Sequence, residues 1–206
     1  MILVIGNKNY SSWSLRPWIA MRVQGIEFQE KCIPLYGPGA RQEILLESPA
    51  GRVPILVDGA TRVWDSLAIL EYLAEKHPQV WPSGREARAV ARSISAEMHS
   101  GFPNLRNHMS MNVRKRYPGK GRTPEVLSEV KRINAIWSEA KGPFLFGEFS
   151  AADAMYAPVV LRFRTYDVGV DNRAYYDAML ALPAMKEWIA AAERERESIP
   201  QFDLYE

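Results

Sequence analysis

The sequence predicts a small α/β domain followed by a larger all-helical one. Three observations carry that prediction. A strand–helix–strand order opens the chain at Ile2, an Asp58-Gly59 pair separates two apolar runs, and no strand-like alternation returns after Arg85. A β-α-β start requires a crossover helix and two parallel strands. The hairpin then adds an antiparallel edge, so the expected order is βαβαββα around a mixed sheet.

Ile2–Ile5 is a short β-branched run bounded by Gly6 and Asn7, which suits a buried strand. Ser14–Val23 places Leu15, Trp18, Ile19 and Val23 at helical spacing, with Pro17 tolerated in the first turn and Gly25 as the stop. Phe28–Leu35 reads as a second strand and Gln42–Glu47 as a short helix halted by Pro49. Val53–Val57 and Thr61–Trp64 flank the Asp-Gly turn, a strong hairpin signal. Ser66–Lys76 carries Leu67, Ile69, Leu70 and Leu73 and is expected to be an amphipathic helix. Pro78, Pro82 and Gly84 mark a linker over residues 79–85, between a domain of residues 1–78 and one of residues 86–206. Arg85–Val113, Glu125–Lys141, Ala151–Tyr166 and Ala184–Glu197 read as helices.

Composition narrows the function classes. The 206 residues carry 26 basic and 24 acidic side chains, and 47% are hydrophobic, which excludes intrinsic disorder. The one cysteine, Cys32, excludes an internal disulfide, a CxxC redox pair and a cysteine-rich zinc site, and points to a reducing cytoplasm. Cys32 is expected to be a buried small hydrophobe. No stretch approaches the roughly 18 apolar residues that span a membrane. The apolar opening is expected to be neither signal nor anchor. Between Glu97 and Glu125 all charges are basic, including Arg106, Arg114, Lys115, Arg116, Lys120 and Arg122. That run is read as a solvated loop rather than a nucleic-acid patch.

Four constellations can carry chemistry. Asn9–Arg16 lies between the first strand and first helix, where open α/β sheets bind ligands. Its serines either cap the helix or, with free helix N–H groups, stabilise an anion such as a thiolate. Ser48–Pro54 ends in a proline at a strand entry; sequence alone favours the ordinary trans bond. Asp65 and Ser66 open the next helix, where they can both cap it and receive the carboxylate and ammonium of an α-amino acid. Ser150 and Asp153 have the spacing of a capping box ahead of an apolar run, a structural reading.

In this order and at these spacings the motifs become specific. Ser48–Leu56 (Ser-Pro-Ala-Gly-Arg-Val-Pro-Ile-Leu), Asp65–Leu73 (Asp-Ser-Leu-Ala-Ile-Leu-Glu-Tyr-Leu) and Ser150-x-x-Asp153 resemble the cis-proline, γ-glutamyl-binding and capping-box segments of the glutathione S-transferase superfamily. The resemblance covers essentially the whole chain. Ser11-Ser12-Trp13-Ser14-Leu15-Arg16 is similar to the Ser-Ser-Cys-Ser-Trp-Arg signature of the zeta class, which includes maleylacetoacetate isomerases, but Trp13 stands where that class has cysteine.

The resemblance implies a thioredoxin-like N-terminal domain that binds glutathione as co-substrate, and a helical domain that holds a small electrophile. It implies that Ser11 stabilises the glutathione thiolate, with Ser12 the neighbouring candidate and a Tyr10 hydroxyl a further alternative. Val53 would pair its backbone with the cysteinyl part, Pro54 being cis. Asp65 and Ser66 would hold the γ-glutamyl end, and Arg52 or Gln42 the glycyl carboxylate. Tyr10, Trp13, Met109 and Arg164 are the second-substrate candidates. A homodimer is also implied. A free thiol ionises near about pH 8.5, so the chemistry requires groups that favour the thiolate. The competing expectation is a non-catalytic relative acting in stress response or protein binding.

Overall fold

The computed structural model describes residues 1–205. A four-stranded sheet in the order β2-β1-β3-β4 forms from β1 (Ile2–Ile5), β2 (Gln29–Cys32), β3 (Ile55–Asp58) and β4 (Thr61–Trp64). β1 and β2 are parallel, with Val4 opposite Lys31, while β1–β3 and β3–β4 are antiparallel. The mixed sheet expected from the crossover and the hairpin is therefore present. Side chains alternate across it with period two. Leu3, Ile5 and Leu56 face the main core, and Val4 and Ile55 face Ile33, Ala40 and Ile44 on the other side.

Helices α1 (Ser12–Val23), α2 (Ala40–Glu47) and α3 (Ser66–Lys76) complete this half. α1 begins two residues earlier than the apolar spacing predicted, so Ser12 and Trp13 lie in its first turn. Asp65 caps α3 by accepting from the N–H groups of Leu67 at 2.8 Å and Ala68 at 3.4 Å. It does so at a φ of 76°, a left-handed conformation uncommon outside glycine. Of residues 79–85, expected to be a linker, the first two complete a short 3₁₀ turn at Pro78–Val80, Arg85 already begins the next helix, and Val80 and Trp81 are buried in the core.

The helical half contains α4 (Arg85–Ser100), α5 (Pro103–His108), α6 (Pro124–Ser138), α7 (Ala151–Tyr166), α8 (Arg173–Ala181) and α9 (Pro183–Arg194). The single helix expected over Arg85–Val113 is broken. Gly101 closes α4, Phe102 turns left-handed with φ 56°, and Pro103 starts α5 without an N–H to continue the earlier ladder. α8 was not anticipated; the Asn172 side chain accepts from Tyr175 N–H and starts it. α9 stops at Arg194, so Glu195–Glu197 are not helical as the sequence suggested.

α7 is buried along nearly its whole length and packs lengthwise on α1, which joins the two halves through one core. The capping box at its start is formed as expected. Asp153 accepts from Ser150 N–H at 2.8 Å and Leu145 N–H at 2.9 Å, and Ser150 Oγ donates to it at 3.1 Å. Burial pushes the Asp153 carboxyl up to about 6 despite those N–H donors.

Candidate active site

The sheet order brings the carboxyl end of β1 beside the start of β3, and both point at the N-terminus of α1. The Val53–Pro54 peptide is cis, as the family resemblance implied and as the local sequence alone did not favour. Ser11 is the N-cap residue of α1 and is almost fully buried. Its hydroxyl does not cap the helix. It donates to Ser14 Oγ at 2.7 Å, and Ser14 Oγ also accepts from Gly6 N–H at 3.1 Å. Ser12 Oγ accepts from Arg162 Nη2 at 3.3 Å.

Tyr10 is differently engaged. Its hydroxyl donates to the Asp203 carboxylate, at 3.0 Å from Oδ1, and accepts from Arg114 Nη2 at 3.2 Å and Ile199 N–H at 3.3 Å. The segment after α9 thus folds back over the β1–α1 loop. Glu195 reinforces it by accepting from the N–H groups of Lys8 at 2.6 Å and Asn9 at 2.9 Å. Sequence reasoning missed this strap, because its contacts join residues 186 to 193 positions apart.

Behind the serines lies an unexpected charge arrangement. Arg16, Arg106 and Arg162 converge from α1, α5 and α7. Arg16 stacks on Trp13, 4.1 Å from the ring centroid, and Arg106 lies 5.9 Å from the same ring. Arg162 Nε donates to the Met109 carbonyl at 2.8 Å, and Arg16 Nη1 donates to Ser66 Oγ at 3.4 Å. Among the described residues no carboxylate pairs with Arg16 or Arg162, and Arg16 Nε and Arg106 Nη1 are buried without a hydrogen-bond partner. Burial, then repulsion from Arg162 and Arg106, brings Arg16 down to about 9, which leaves it cationic at neutral pH. Burial first and Arg106 second bring Arg162 to about 10. The positive ends of α1 and α3 add to the same field.

At the start of α3, Ser66 is fully buried and Asp65 is exposed. The second Asp65 oxygen meets His99 Nε2 at 2.7 Å, and the His99 ring stands edge-on to Trp13 with centroids 5.3 Å apart. Burial alone would raise Asp65; the His99 contact and the Leu67 and Ala68 N–H groups outweigh it and hold the carboxyl below its ordinary value.

Ser11, Ser12, Trp13, Pro54, Asp65 and Ser66 are therefore brought into one region. Arg52 and Gln42 are exposed. Two second-substrate expectations need correction. Met109 is fully buried and offers no surface. Arg164 does not reach the site; it faces Arg116 and Tyr176, because two positions along a helix turn a side chain to the opposite face. Arg162 is the one that faces α1. Two further expectations also change. Cys32 is exposed on the edge strand, where desolvation, then Glu195 and Glu30, push its thiol up to about 11. Of the basic run, Arg106 and Arg114 are half-buried and engaged by Trp13 and Tyr10, while Lys115, Arg116, Lys120 and Arg122 are exposed.

A thioredoxin-like sheet with a cis-proline strand entry, a serine-bearing α1 and a trailing helical domain defines the glutathione S-transferase architecture. The N-terminal family model of glutathione S-transferase matches residues 10–76 and the C-terminal model matches residues 120–191, and the chain belongs to that family. It is zeta-like. The maleylacetoacetate isomerase of Rattus norvegicus is 32% identical over 169 residues, covering 77% of this chain and 76% of the relative. The probable maleylacetoacetate isomerase 2 of Drosophila melanogaster is 31% identical, covering 93% of this chain and 82% of its own length. In fold, the chain is similar to a maleylacetoacetate isomerase from Methylobacterium extorquens solved with malonate and glutathione bound. The TM-score is 0.71 at 21% identity, covering 95% of this chain and 98% of that one. Among the described residues no helix is long and apolar enough to cross a membrane.

Proposed function

We propose that the chain ionises the thiol of glutathione and delivers the thiolate to a small electrophile that carries a carboxylate, either adding to it or isomerising it by addition and release. The observation that supports this most is the group of guanidiniums, Arg16 and Arg162 buried and Arg106 half-buried, behind the serine-bearing starts of α1 and α3. A positive field at that place, only partly offset by Asp65 and Glu129, favours a thiolate over a thiol and an anionic over a neutral partner. The names of the relatives point the same way.

The roles follow from position. Ser11 stabilises the thiolate, Val53 meets the cysteinyl backbone, and Ser66 with the α3 N–H groups receives the γ-glutamyl carboxylate. Asp65 shares its charge between His99 and the ammonium, since one of its oxygens is already committed to capping α3. Arg52 or Gln42 takes the glycyl carboxylate. Trp13 forms the wall against the second substrate. Tyr10, engaged by Asp203, shapes the entrance. The units are residues 1–78 for the thiol and residues 86–206 for its target. A homodimer is part of the proposal: Leu45, Leu46, Trp64 and Val90 are large apolar side chains left exposed. A reducing cytoplasm suits both glutathione and the lone thiol of Cys32.

Titration calorimetry with glutathione, followed by assay of the cis–trans isomerisation of a maleyl compound, tests the reading. Binding below millimolar concentration with turnover of the maleyl substrate is expected. Absence of heat at millimolar glutathione would return the chain to the non-catalytic alternative.

A further inference from the structure

We propose that Ser14 is a positioning residue for thiol activation, which returns a hydrogen bond to Ser11 when Ser11 turns to the glutathione sulfur. The proposal rests on the glutathione chemistry above. Ser11 and Ser14 lie one helical turn apart with their oxygens 2.7 Å from each other. Ser14 is fully buried, and Gly6 N–H holds its oxygen at 3.1 Å. In the free chain the single Ser11 proton points at Ser14.

A hydroxyl has one proton and two acceptor lone pairs. When Ser11 donates to sulfur, no proton of its own remains for Ser14. Two oxygens that close with no proton between them repel. The Ser14 proton resolves this by turning to Ser11 Oγ, while its lone pair keeps the Gly6 N–H. The result is one chain of donors: Gly6 N–H to Ser14, Ser14 to Ser11, and Ser11 to the thiolate. Each bond polarises the next in the same direction. The thiol proton leaves to water, neither serine loses its own, and the only motion is rotation of two hydroxyls.

The location fits. The β1–β3 pairing places Val4 opposite Ile55, and continuing that register puts Gly6 opposite Val53, the residue proposed to meet the cysteinyl backbone. Ser12 is not in this chain of donors, because its oxygen is held by Arg162.

The test is the pKa of glutathione bound to the protein, read from the ultraviolet absorbance of the thiolate across a pH titration. Ser11→Ala is expected to raise it by about one to two units, the loss of a charge-assisted hydrogen bond. Ser14→Ala is expected to raise it by about half a unit, with the glutathione KM unchanged and kcat below that pKa reduced about threefold. In the Ser11→Ala background, Ser14→Ala is expected to add nothing, because Ser14 acts through Ser11. Ser14→Thr, which keeps the hydroxyl, restores the wild-type titration. Should Ser14→Ala fail to fold, Ser14→Cys, close in volume and a weak donor, carries the same comparison. An unchanged pKa in Ser14→Ala, or an equal rise with and without Ser11, overturns the relay. Failure of the wild-type chain to bind glutathione would instead overturn the proposed function.

Discussion

Two helix starts in this molecule share a pattern and use it in opposite ways. At α7, Ser150 is followed three residues later by Asp153, and the pair closes into a box with every acceptor matched to an N–H or O–H. At α1, Ser11 is followed three residues later by Ser14, and the pair leaves the helix start uncapped. A carboxylate three residues on can only accept, so the closed box has one arrangement and fixes a buried helix. A hydroxyl three residues on can accept or donate, so the open pair has two arrangements. The difference between the closed and the open helix start is one side chain.

Four expected outcomes probe that contrast. Breaking the closed box has the largest effect. Asp153→Ala orphans Leu145 and Ser150 N–H groups and is expected to cost about 2–4 kcal/mol in urea unfolding, with glutathione affinity of the folded protein intact. Converting the open pair into a closed one, Ser14→Asp, places a fixed negative charge beside the sulfur. The bound thiol is expected to ionise about two units higher, seen in the same thiolate titration.

The third outcome concerns the charges behind the open pair. Arg16→Met removes a buried, unpaired guanidinium and keeps much of its volume. Unfolding stability is expected to hold or rise, while the KM for glutathione rises about tenfold. A fall in stability with the KM for glutathione unchanged would mean that Arg16 is held for packing alone. The smallest effect lies at Asp65. Its carboxyl is held below the ordinary value of 3.8 in the fold, so its contribution to stability is full above that value and fades as pH falls beneath it. His99→Ala is expected to shift the acid-unfolding midpoint slightly upward, measured by fluorescence.

Much of the first half was legible because its signals are local. Asp58-Gly59, the Ile2–Ile5 run and the Asp65–Leu73 helix each state their structure within a few residues. The break at Gly101-Phe102-Pro103 was equally local, and the proline was the overlooked signal. The family motifs mark the residues proposed for the site at Ser11, Pro54, Asp65 and Ser66. Residues whose place helix rotation decides were not legible. Arg162 and Arg164 differ by two positions on a helix buried nearly all round, and no periodicity says which of them meets α1. Nor does local sequence tell that Asp203 reaches Tyr10, since nothing near either residue names the other.

The strap that ends in that contact has a consequence for how the protein is made. Lys8, Asn9 and Tyr10 are made well before the carboxylates that pin them, Glu195 and Asp203, which follow 186 to 193 positions later. A nascent chain can form its sheet and most of its helices while the loop beside the proposed thiol site is still untethered. The entrance to the proposed site therefore takes its shape only after the sheet and the helices through α9 have been made.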